Sequence, residues 1–260
     1  MNTNKAIVVR GSDGICYITL NRPKAGNAFT LAMMKEMKET LRIVDEDESL
    51  KVAIITGTGK VFQAGADVAE MSTMNPIDYL RFNKSVISID EELERLRQPV
   101  IAAINGPAIG GGLGLALACT LRVIAESAWI AIPEVMLGVC PGSGLMQRLC
   151  SLIGKGRAAY LLLVGDRIDS QEALKIGLVN RVVPDGDVMR TAEDIAKKIM
   201  ANAQIAVEMT KDALELGGNL PVERSARFAG RNCSICFSTE DMREGFTAFL
   251  NKRAATFRGR

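Results

Sequence analysis

The sequence predicts an α/β fold in which strands and helices interleave up to about residue 185 and helices alone follow. In the first part of the chain, short apolar runs bounded by glycine, proline or asparagine alternate with longer amphipathic stretches, a pattern typical of a sheet covered by helices. The remainder reads as consecutive helices. The chain has 260 residues, 48% hydrophobic and 24% charged, which suffices for a sizeable core. We therefore expect a core over residues 1–187 and a helical C-terminal region over residues 188–260.

The first half of the chain begins with two alternating runs separated by the turn Ser12-Asp13-Gly14, which is typical of a β-hairpin. Thr30 can cap a helix with Leu31, Met34 and Leu41 on its apolar face. Later apolar runs end at glycine or asparagine and are predicted to be buried strands. The predicted strands are 5–10, 15–21, 52–56, 100–105, 121–125 and 129–132, and the predicted helices are 31–46, 76–97 and 113–119.

The second half is predicted to be mostly helical. Gly177 can end a helix, and the apolar run after it is predicted to be one further strand. The predicted helices are 146–153, 156–164, 170–176, 188–202, 203–217, 222–236 and 239–256, the strand is 178–183, and 184–187 is a connection.

Charge and hydropathy exclude several classes of protein. Thirty-two Lys and Arg residues against 30 Asp and Glu residues leave a net charge of +2, so binding to nucleic acid driven by net charge is not expected. No run reaches the roughly 18 apolar residues of a membrane helix, and the first residues lack the apolar core of a signal peptide. We expect a cytoplasmic protein that binds neither nucleic acid nor a membrane.

The absence of histidine excludes catalysis by a Ser-His-Asp or Cys-His arrangement and metal binding through imidazole. Six cysteines are scattered along the chain, and only Cys233 and Cys236 have CxxC spacing. A single CxxC is weak evidence for a zinc site. We expect reduced and mostly buried thiols.

Two glycine-containing loops, 62–67 and 105–112, each follow an apolar run. Three glycines at the start of a helix expose backbone N–H groups and let a ligand approach closely, so such a loop can bind a phosphate or stabilise an oxyanion. Neither GxGxxG nor the Lys-Ser/Thr of a P-loop is present. A glycine-rich crossing of a helix and a strand without any ligand remains an equal alternative on spacing alone.

Three segments, in this order, resemble the crotonase superfamily, the enoyl-CoA hydratases and isomerases: AGADVAEM at 64–71, NGPAIGGGLGLALAC at 105–119 and AIPEVMLGVCPGSGLMQRL at 131–149. Three flanking segments are also similar: ITLNRPKAGNA at 18–28, VGDRIDSQEALKIGLVNRVVP at 164–184 and EGFTAFLNKR at 244–253. The resemblance covers nearly the whole chain. It implies a ClpP-like spiral of ββα units with a C-terminal helical trimerisation region, assembled as a homo-trimer or a hexamer made of two trimers.

The resemblance also implies the catalytic groups. The backbone N–H groups of Ala66 and Gly111 would form an oxyanion hole around the thioester carbonyl. Hydratases of the family carry two glutamates, and Pro133-Glu134 matches the second, while Gly114 stands at the position of the first. Gly142 stands where some relatives have an alternative acid. Apolar neighbours at Ile130, Ile132, Val135 and Met136 are expected to raise the pKa of Glu134.

Further residues are implied to bind the acyl-CoA substrate. Adenine and pantetheine would lie along Lys24, Ala25 and the backbone from Ala64 to Val68, with Phe249 and Lys252 supplied from the C-terminal helix, often by a neighbouring subunit. Asp67 is expected to order its loop, and apolar side chains to surround the acyl group. The remaining implied residues are Gly65, Gly110, Gly114, Pro133 and Cys140, with Met74, Met136 and Leu145 as the apolar lining. No metal or separate cofactor is implied, because coenzyme A is part of the substrate.

Three functions remain open. A single glutamate can move a double bond of an enoyl-CoA from the 3 to the 2 position, which favours an isomerase. Hydration more naturally employs two carboxylates, yet the segment PGSGLMQRL is similar to hydratases, so a hydratase is the alternative. A catalytically weak acyl-CoA-binding protein is a third possibility, against which the retained Glu134 argues.

Overall fold

The structure, a computed structural model, describes residues 6–218 and 220–260, so Lys5 of the first predicted strand lies outside the described residues. Nine strands are found in these ranges. They are β1 Ile7–Ser12, β2 Ile15–Leu20, β3 Val52–Gly57, β4 Val100–Ile104, β5 Ala108–Ile109, β6 Leu121–Ala125, β7 Trp129–Ala131, β8 Ile168–Asp169 and β9 Arg181–Val183.

Eleven α-helices and three short 3₁₀ helices are found in the same ranges. The 3₁₀ helices are Pro23–Ala25, Glu134–Leu137 and Asp185–Asp187. The α-helices are α1 Leu31–Glu46, α2 Val68–Met71, α3 Pro76–Arg95, α4 Gly111–Ala118, α5 Leu145–Ile153, α6 Lys155–Val164, α7 Ser170–Lys175, α8 Val188–Met200, α9 Gln204–Gly217, α10 Val222–Cys236 and α11 Glu240–Leu250.

The main sheet has the strand order β1-β2-β3-β4-β6-β9, and every pair in it is parallel except the β1–β2 hairpin. Asp13 and Gly14 both have positive φ, 50° and 81°, which is the geometry that a two-residue hairpin turn requires. A smaller sheet has the order β5-β7-β8. The strands β2, β3, β4, β6 and β9 are parallel, so their carboxyl ends lie at the same edge of the sheet. The two glycine-containing loops follow β3 and β4 at this edge, where the candidate site lies.

The core lies on the parallel strands. Every residue of β4 is buried, as expected for a parallel strand covered on both faces. Helix α8 packs against β3, β4 and β6 through Val188, Ala192 and Ala196. The first of the C-terminal helices, α8, thus belongs to the layer of helices over the sheet. The division of the chain into a core over residues 1–187 and a C-terminal region over residues 188–260 stays a prediction.

Local chemistry explains the elements that were predicted accurately. Helix α1 begins after Thr30, whose side chain accepts a hydrogen bond from Met33 N, and its buried face includes Met34, Met37 and Leu41. Leu31, predicted on that face, is 47% exposed instead, whereas Met33 and Met34 in the same turn are buried.

Other boundaries were wrong. The predicted loop 105–112 contains β5, and α4 already begins at Gly111. The predicted helix 239–256 ends at Leu250, because Arg253 folds back to form an ion pair with Glu244 at 2.6 Å and Lys252 adopts a positive φ of 52°. Strand β9 is shorter than its predicted range and begins at Arg181.

The cysteines are free, and only Cys16 and Cys119 are fully buried, so the expectation of mostly buried thiols was wrong. Burial raises the pKa of the Cys16 thiol to about 11 and that of Cys119 to about 12. Cys140 and Cys233 are exposed. Across the described ranges no helix combines the length and the apolar character needed to cross a membrane.

Candidate active site

The two glycine-containing loops are joined by backbone hydrogen bonds centred on Gln63. The Gln63 carbonyl accepts from Ile109 N at 2.9 Å, and the amides of Phe62 and Gln63 donate to Pro107 O. The buried Gln63 side chain accepts from Gly65 N at 2.6 Å and donates to Gly65 O at 2.9 Å. A Cβ on Gly112 would overlap the Gln63 carbonyl, so glycine at 112 permits this close approach.

Two backbone amides face the cavity that these loops enclose. In the described part of the chain neither Ala66 N nor Gly111 N donates a hydrogen bond, and both residues line the cavity. A Cβ placed on Gly111 would lie 3.9 Å from Ala66 N, so the two amides are neighbours. Gly111 is the first residue of α4, where the helix dipole favours negative charge. The pair can stabilise an oxyanion.

The carboxylate of Glu134 lies against the same loop. Its Oε1 occupies the position that a Cβ on Gly110 would need, and its buried Oε2 has no hydrogen-bond partner among the described residues. Burial raises the pKa of Glu134, as expected. The apolar neighbours Val135 and Met136 do not produce that burial, since the 3₁₀ helix turns both outward and Met136 is 70% exposed, its sulfur near Gly165.

The cavity has a volume of about 370 Å³. Most of the residues predicted for the site line it, namely Ala64, Gly65, Ala66, Val68, Gly110, Gly111, Gly114, Pro133, Glu134, Cys140 and Leu145. Others do not: Lys24, Ala25, Asp67, Met74, Met136, Phe249 and Lys252 are absent from its wall. Among these, Met74 and Met136 were predicted as apolar lining, and that prediction was wrong: Met74 packs against the core and Met136 faces away.

Asp67 has a structural position. Its side chain accepts hydrogen bonds from Ala69 N and Glu70 N at the start of α2 and forms an ion pair with Arg22 at 2.9 Å. The hydrogen bond from Arg22 is the main reason that the pKa of Asp67 is lowered. This geometry matches the expectation that Asp67 orders the loop beside Ala66.

Four of the residues predicted to hold the coenzyme A part, Lys24, Ala25, Phe249 and Lys252, lie outside the cavity. Lys24 and Ala25 are exposed in the first 3₁₀ helix, next to Gly26, whose carbonyl accepts from Ala64 N at 3.0 Å. Phe249 is 83% exposed in the last turn of α11, and Lys252 is exposed just after it. One chain therefore brings Lys24 and Ala25 beside the first glycine loop but leaves Phe249 and Lys252 at the surface.

One wall of the cavity was missed by the sequence analysis. It is formed by α3, which contributes Tyr79, Phe82, Asn83, Val86 and Asp90. Asp90 is 1% exposed, and its Oδ2 accepts from Arg148 Nη1 at 3.2 Å. Burial is the largest cause that raises its pKa to about 7. A signal was present in the sequence, since an aspartate on the apolar face of a helix is uncommon unless it has a partner or a function.

The two positions that lack an acid differ in their surroundings. A Cβ on Gly114 would meet only Leu145, at 3.7 and 3.9 Å, so this part of the wall has room for a side chain. A Cβ on Gly142 would lie 2.6 Å from Asn83 Oδ1 and 3.1 Å from the Tyr79 hydroxyl. Polar side chains from α3 thus occupy the space next to Gly142. No group of three or more acidic or cysteine side chains suited to a metal ion occurs in residues 6–218 and 220–260.

A parallel sheet whose two glycine loops close over a cavity with free amides is the architecture of the crotonase superfamily. The chain belongs to the enoyl-CoA hydratase/isomerase family, because the family model of that description matches residues 10–260. It is 40% identical over 248 residues to the short-chain-enoyl-CoA hydratase of Clostridium acetobutylicum, covering 95% of each chain. It is 38% identical to the crotonyl-CoA hydratase of Syntrophomonas wolfei, covering 96% of this chain and 97% of that protein.

Solved structures agree with this assignment. The crystal structure of enoyl-CoA hydratase from Bacillus anthracis matches with a TM-score of 0.95 and 38% identity, over 98% of this chain and all of that one. A corresponding structure from Geobacillus kaustophilus matches with a TM-score of 0.96 and 35% identity, over 99% of this chain and 98% of that one. The predicted family and the predicted α/β fold are confirmed.

Proposed function

We propose that this protein is a one-glutamate enoyl-CoA isomerase that moves a carbon–carbon double bond from the 3 to the 2 position of an acyl-CoA thioester. The single observation that carries the proposal is the buried, unpartnered Oε2 of Glu134 beside two free amides. In this proposal Ala66 N and Gly111 N hold the thioester oxygen, and Glu134 carries the proton.

Glu134 as a carboxylate removes a proton from carbon 2, and the electron pair moves onto the thioester oxygen to form a dienolate. The two amides stabilise that oxygen, at about 3 kcal/mol per donor by mutational precedent. The protonated Glu134 then returns the proton to carbon 4, which leaves the double bond at position 2. No water, metal or redox step is needed, and coenzyme A takes part only as the thioester of the substrate.

Gly114 supports isomerisation over hydration. Addition of water to a double bond requires that a water molecule be positioned and deprotonated while carbon 2 is protonated, which two carboxylates share naturally. The wall at Gly114 supplies no carboxyl, and the other cavity carboxyl, Asp90, belongs to α3. A raised pKa suits a group that must both take and return a proton near neutral pH.

Hydration of a 2-enoyl-CoA is the second candidate, because the two relatives named above are called hydratases. Tyr79 and Asn83 beside Gly142 are polar groups that could hold a water molecule at the cavity wall. An acyl-CoA-binding protein without turnover is the third candidate. The unpartnered carboxyl of Glu134 argues against it, because the carbons next to a thioester carry no hydrogen-bond donor that could satisfy this oxygen, so the cost of burying it is useful only for proton transfer.

The test supplies a 3-enoyl-CoA and a 2-enoyl-CoA separately and follows the absorbance of the conjugated thioester. Conjugation that appears from the 3-enoyl substrate supports the isomerase, and its loss from the 2-enoyl substrate supports the hydratase. Glu134→Gln should lower turnover by about 1,000-fold or more while acyl-CoA affinity stays within a few-fold. Glu172→Gln is the matched control, because Glu172 is partly exposed, forms an ion pair with Lys175 and does not line the cavity. Equal inactivity of wild type and Glu134→Gln, with binding retained, would favour the binding protein.

A further inference from the structure

Helix α3 presents two apolar side chains and then an aspartate to the cavity. Phe82, Val86 and Asp90 are four residues apart, so they share one face of the helix, and all three line the cavity. Phe82 and Val86 are apolar and buried, as expected for a wall that faces an acyl chain. A buried carboxylate that follows them in the same wall is out of place in a purely apolar site.

Asp90 has one satisfied oxygen and one free oxygen. Its Oδ2 accepts from Arg148 Nη1 at 3.2 Å, whereas its buried Oδ1 has no hydrogen-bond partner among the described residues. Arg148 does not donate to Oδ1: its Nε donates to Glu94, and its Nη1 donates to Asp90 Oδ2 and to Ser143 O, the latter at 3.0 Å. A buried carboxylate oxygen without a donor costs free energy, and a donor from a ligand would remove that cost.

Asp90 lies at the end of α3 that is distant from the reacting centre. Tyr79, at the other end of the same face, has its hydroxyl next to Gly142, and the charge of Glu134 contributes, after burial and Cys140, to its raised pKa. Asp90 follows Tyr79 by eleven positions in the helix, which is about 16.5 Å along the axis. The charges that act on Asp90 are those of Arg148 and Glu94. An acyl chain that begins at Glu134 therefore passes Phe82 and Val86 before it reaches Asp90.

From this arrangement we infer that Asp90 selects an acyl-CoA whose acyl chain carries a hydroxyl group at or near its distal end, with Asp90 Oδ1 accepting the hydrogen bond. The inference rests on the proposed function for the position of the thioester and adds the class of acyl group. A neutral hydroxyl fits because the wall before Asp90 is apolar and the carboxylate already has an ion-pair partner in Arg148. Asp90 acts on specificity and takes no part in proton transfer at carbons 2 to 4.

A purely structural role is the alternative. In that case Asp90 would serve only to hold Arg148, which in turn holds the loop at Ser143. Removal of Asp90 would then reduce stability, and affinity for all acyl-CoA esters equally. Glu94 forms the other ion pair of Arg148 and does not line the cavity. Glu94→Gln therefore disturbs Arg148 without changing the cavity wall and serves as the matched control.

The test measures, by calorimetry, the binding of saturated acyl-CoA esters in pairs with and without a terminal hydroxyl, over a graded series of chain lengths. Saturated esters do not react, so the result is independent of turnover. Wild type should bind the hydroxylated ester about tenfold more tightly at one chain length, because a site built around a hydrogen bond disfavours a ligand that lacks it. Asp90→Leu, of similar volume, should abolish or reverse that preference, and Glu94→Gln should keep it.

If Asp90→Leu fails to fold, Asp90→Asn can be measured instead. It keeps an oxygen but can turn its NH₂ group toward the ligand, so the preference for the hydroxylated ester should fall at least a few-fold. No preference in the wild type at any length, or the same preference in wild type and the Asp90 variants, would overturn the inference. Failure of the proposed function looks different. In that case acyl-CoA esters bind, with or without the hydroxyl preference, but neither the 3-enoyl nor the 2-enoyl ester is turned over.

Discussion

The carboxylate of Glu134 packs directly on the α-carbon of Gly110. A Cβ on Gly110 would lie 3.0 Å from Glu134 Cδ and would overlap Oε1. Gly110 also precedes Gly111, whose amide faces the cavity, and its own amide donates to Ala131 O at 2.8 Å. One glycine thereby fixes the spacing between the proposed proton carrier and the proposed oxyanion hole.

Replacement of Gly110 by alanine should disable the site and strain the loop. Gly110 has a φ of 51° and a ψ of −118°, a conformation that L side chains rarely adopt, so we expect a loss of about 1–3 kcal/mol in the free energy of unfolding. Displacement of Glu134 should lower kcat by more than about tenfold. Gly156→Ala in α6 is the control, since a Cβ there meets no atom within 4 Å. Urea unfolding and steady-state kinetics of both variants check this, and an active Gly110→Ala protein would contradict it.

Introduction of a carboxyl at position 114 should shift the reaction toward hydration. Gly114→Glu adds a side chain where only Leu145 is near and replaces a helical glycine, so folding should be retained. The ratio of hydration to isomerisation should rise about tenfold or more, because a second acid can position and deprotonate water. Gly114→Gln is the matched variant of equal size. A ratio that rises equally in both variants would show that side-chain size, rather than acidity, matters at this position.

The raised pKa of Glu134 predicts the pH dependence of activity and of stability. Isomerisation requires the carboxylate, so kcat/KM should fall with decreasing pH around an apparent pKa above the ordinary value of 4.5. The folded protein binds the Glu134 proton more tightly than the unfolded chain does. Protonated Glu134 therefore contributes to the free energy of unfolding at low pH, and this contribution is lost as the pH rises through the folded-state pKa.

Glu134→Gln should therefore be more stable than wild type at neutral pH, and the difference should vanish below the unfolded pKa. Urea unfolding of wild type and Glu134→Gln over the same pH series measures this difference in the free energy of unfolding. The titration of Asp90 does not affect the difference, because both proteins contain Asp90. A difference that does not change with pH would show that Glu134 is not desolvated in solution.

Assembly is expected to cover the apolar surface of the C-terminal helices. Val222, Phe249 and Leu250 are among the most exposed large apolar side chains of the described residues, and patches of this kind usually mark interfaces. Light scattering should give three or six times 28.0 kDa, for a trimer or a hexamer.

If a neighbouring subunit completes the coenzyme A site, Lys252→Ala should raise KM several-fold with kcat unchanged, while Lys198→Ala on α8 should not. The reason is that removal of one phosphate-binding cation weakens the ground state and the transition state equally. A monomer that binds acyl-CoA tightly would contradict the shared site.

The elements that the sequence predicted well are those whose boundaries depend on local chemistry. Asp13-Gly14 supports the required φ values, and Thr30 caps α1 with its own side chain. The end of α11 depends instead on the ion pair between Arg253 and Glu244, which are nine residues apart in the sequence. The periodicity of apolar residues does not reveal such a contact. Met136 was predicted as apolar lining of the cavity, but the short 3₁₀ helix turns it outward, where it is 70% exposed.

The residues of the site also divide into those that local sequence reveals and those that depend on contacts distant in sequence. Residues within the glycine loops and beside Glu134 could be identified because they are contiguous with recognisable motifs. The contribution of α3 could not, because Tyr79, Asn83 and Asp90 reach the cavity only through the packing of α3 against α4. Asp90 was the one member with a visible signal, a charged residue on an otherwise apolar helix face.

If the shielded carboxyl of Glu134 carries the proton from carbon 2 to carbon 4, an isotope placed at carbon 2 should reach carbon 4 within the site. A 3-enoyl-CoA with deuterium at carbon 2 is converted in ordinary water, and the product is examined by mass spectrometry and NMR after a short reaction. Because Glu134 Oε2 is buried and has no partner that could exchange its proton, a measurable share of the deuterium should appear at carbon 4. Rapid turnover with every label lost to solvent, or a 3-hydroxyacyl-CoA as the main product, would contradict proton transfer from carbon 2 to carbon 4 by Glu134.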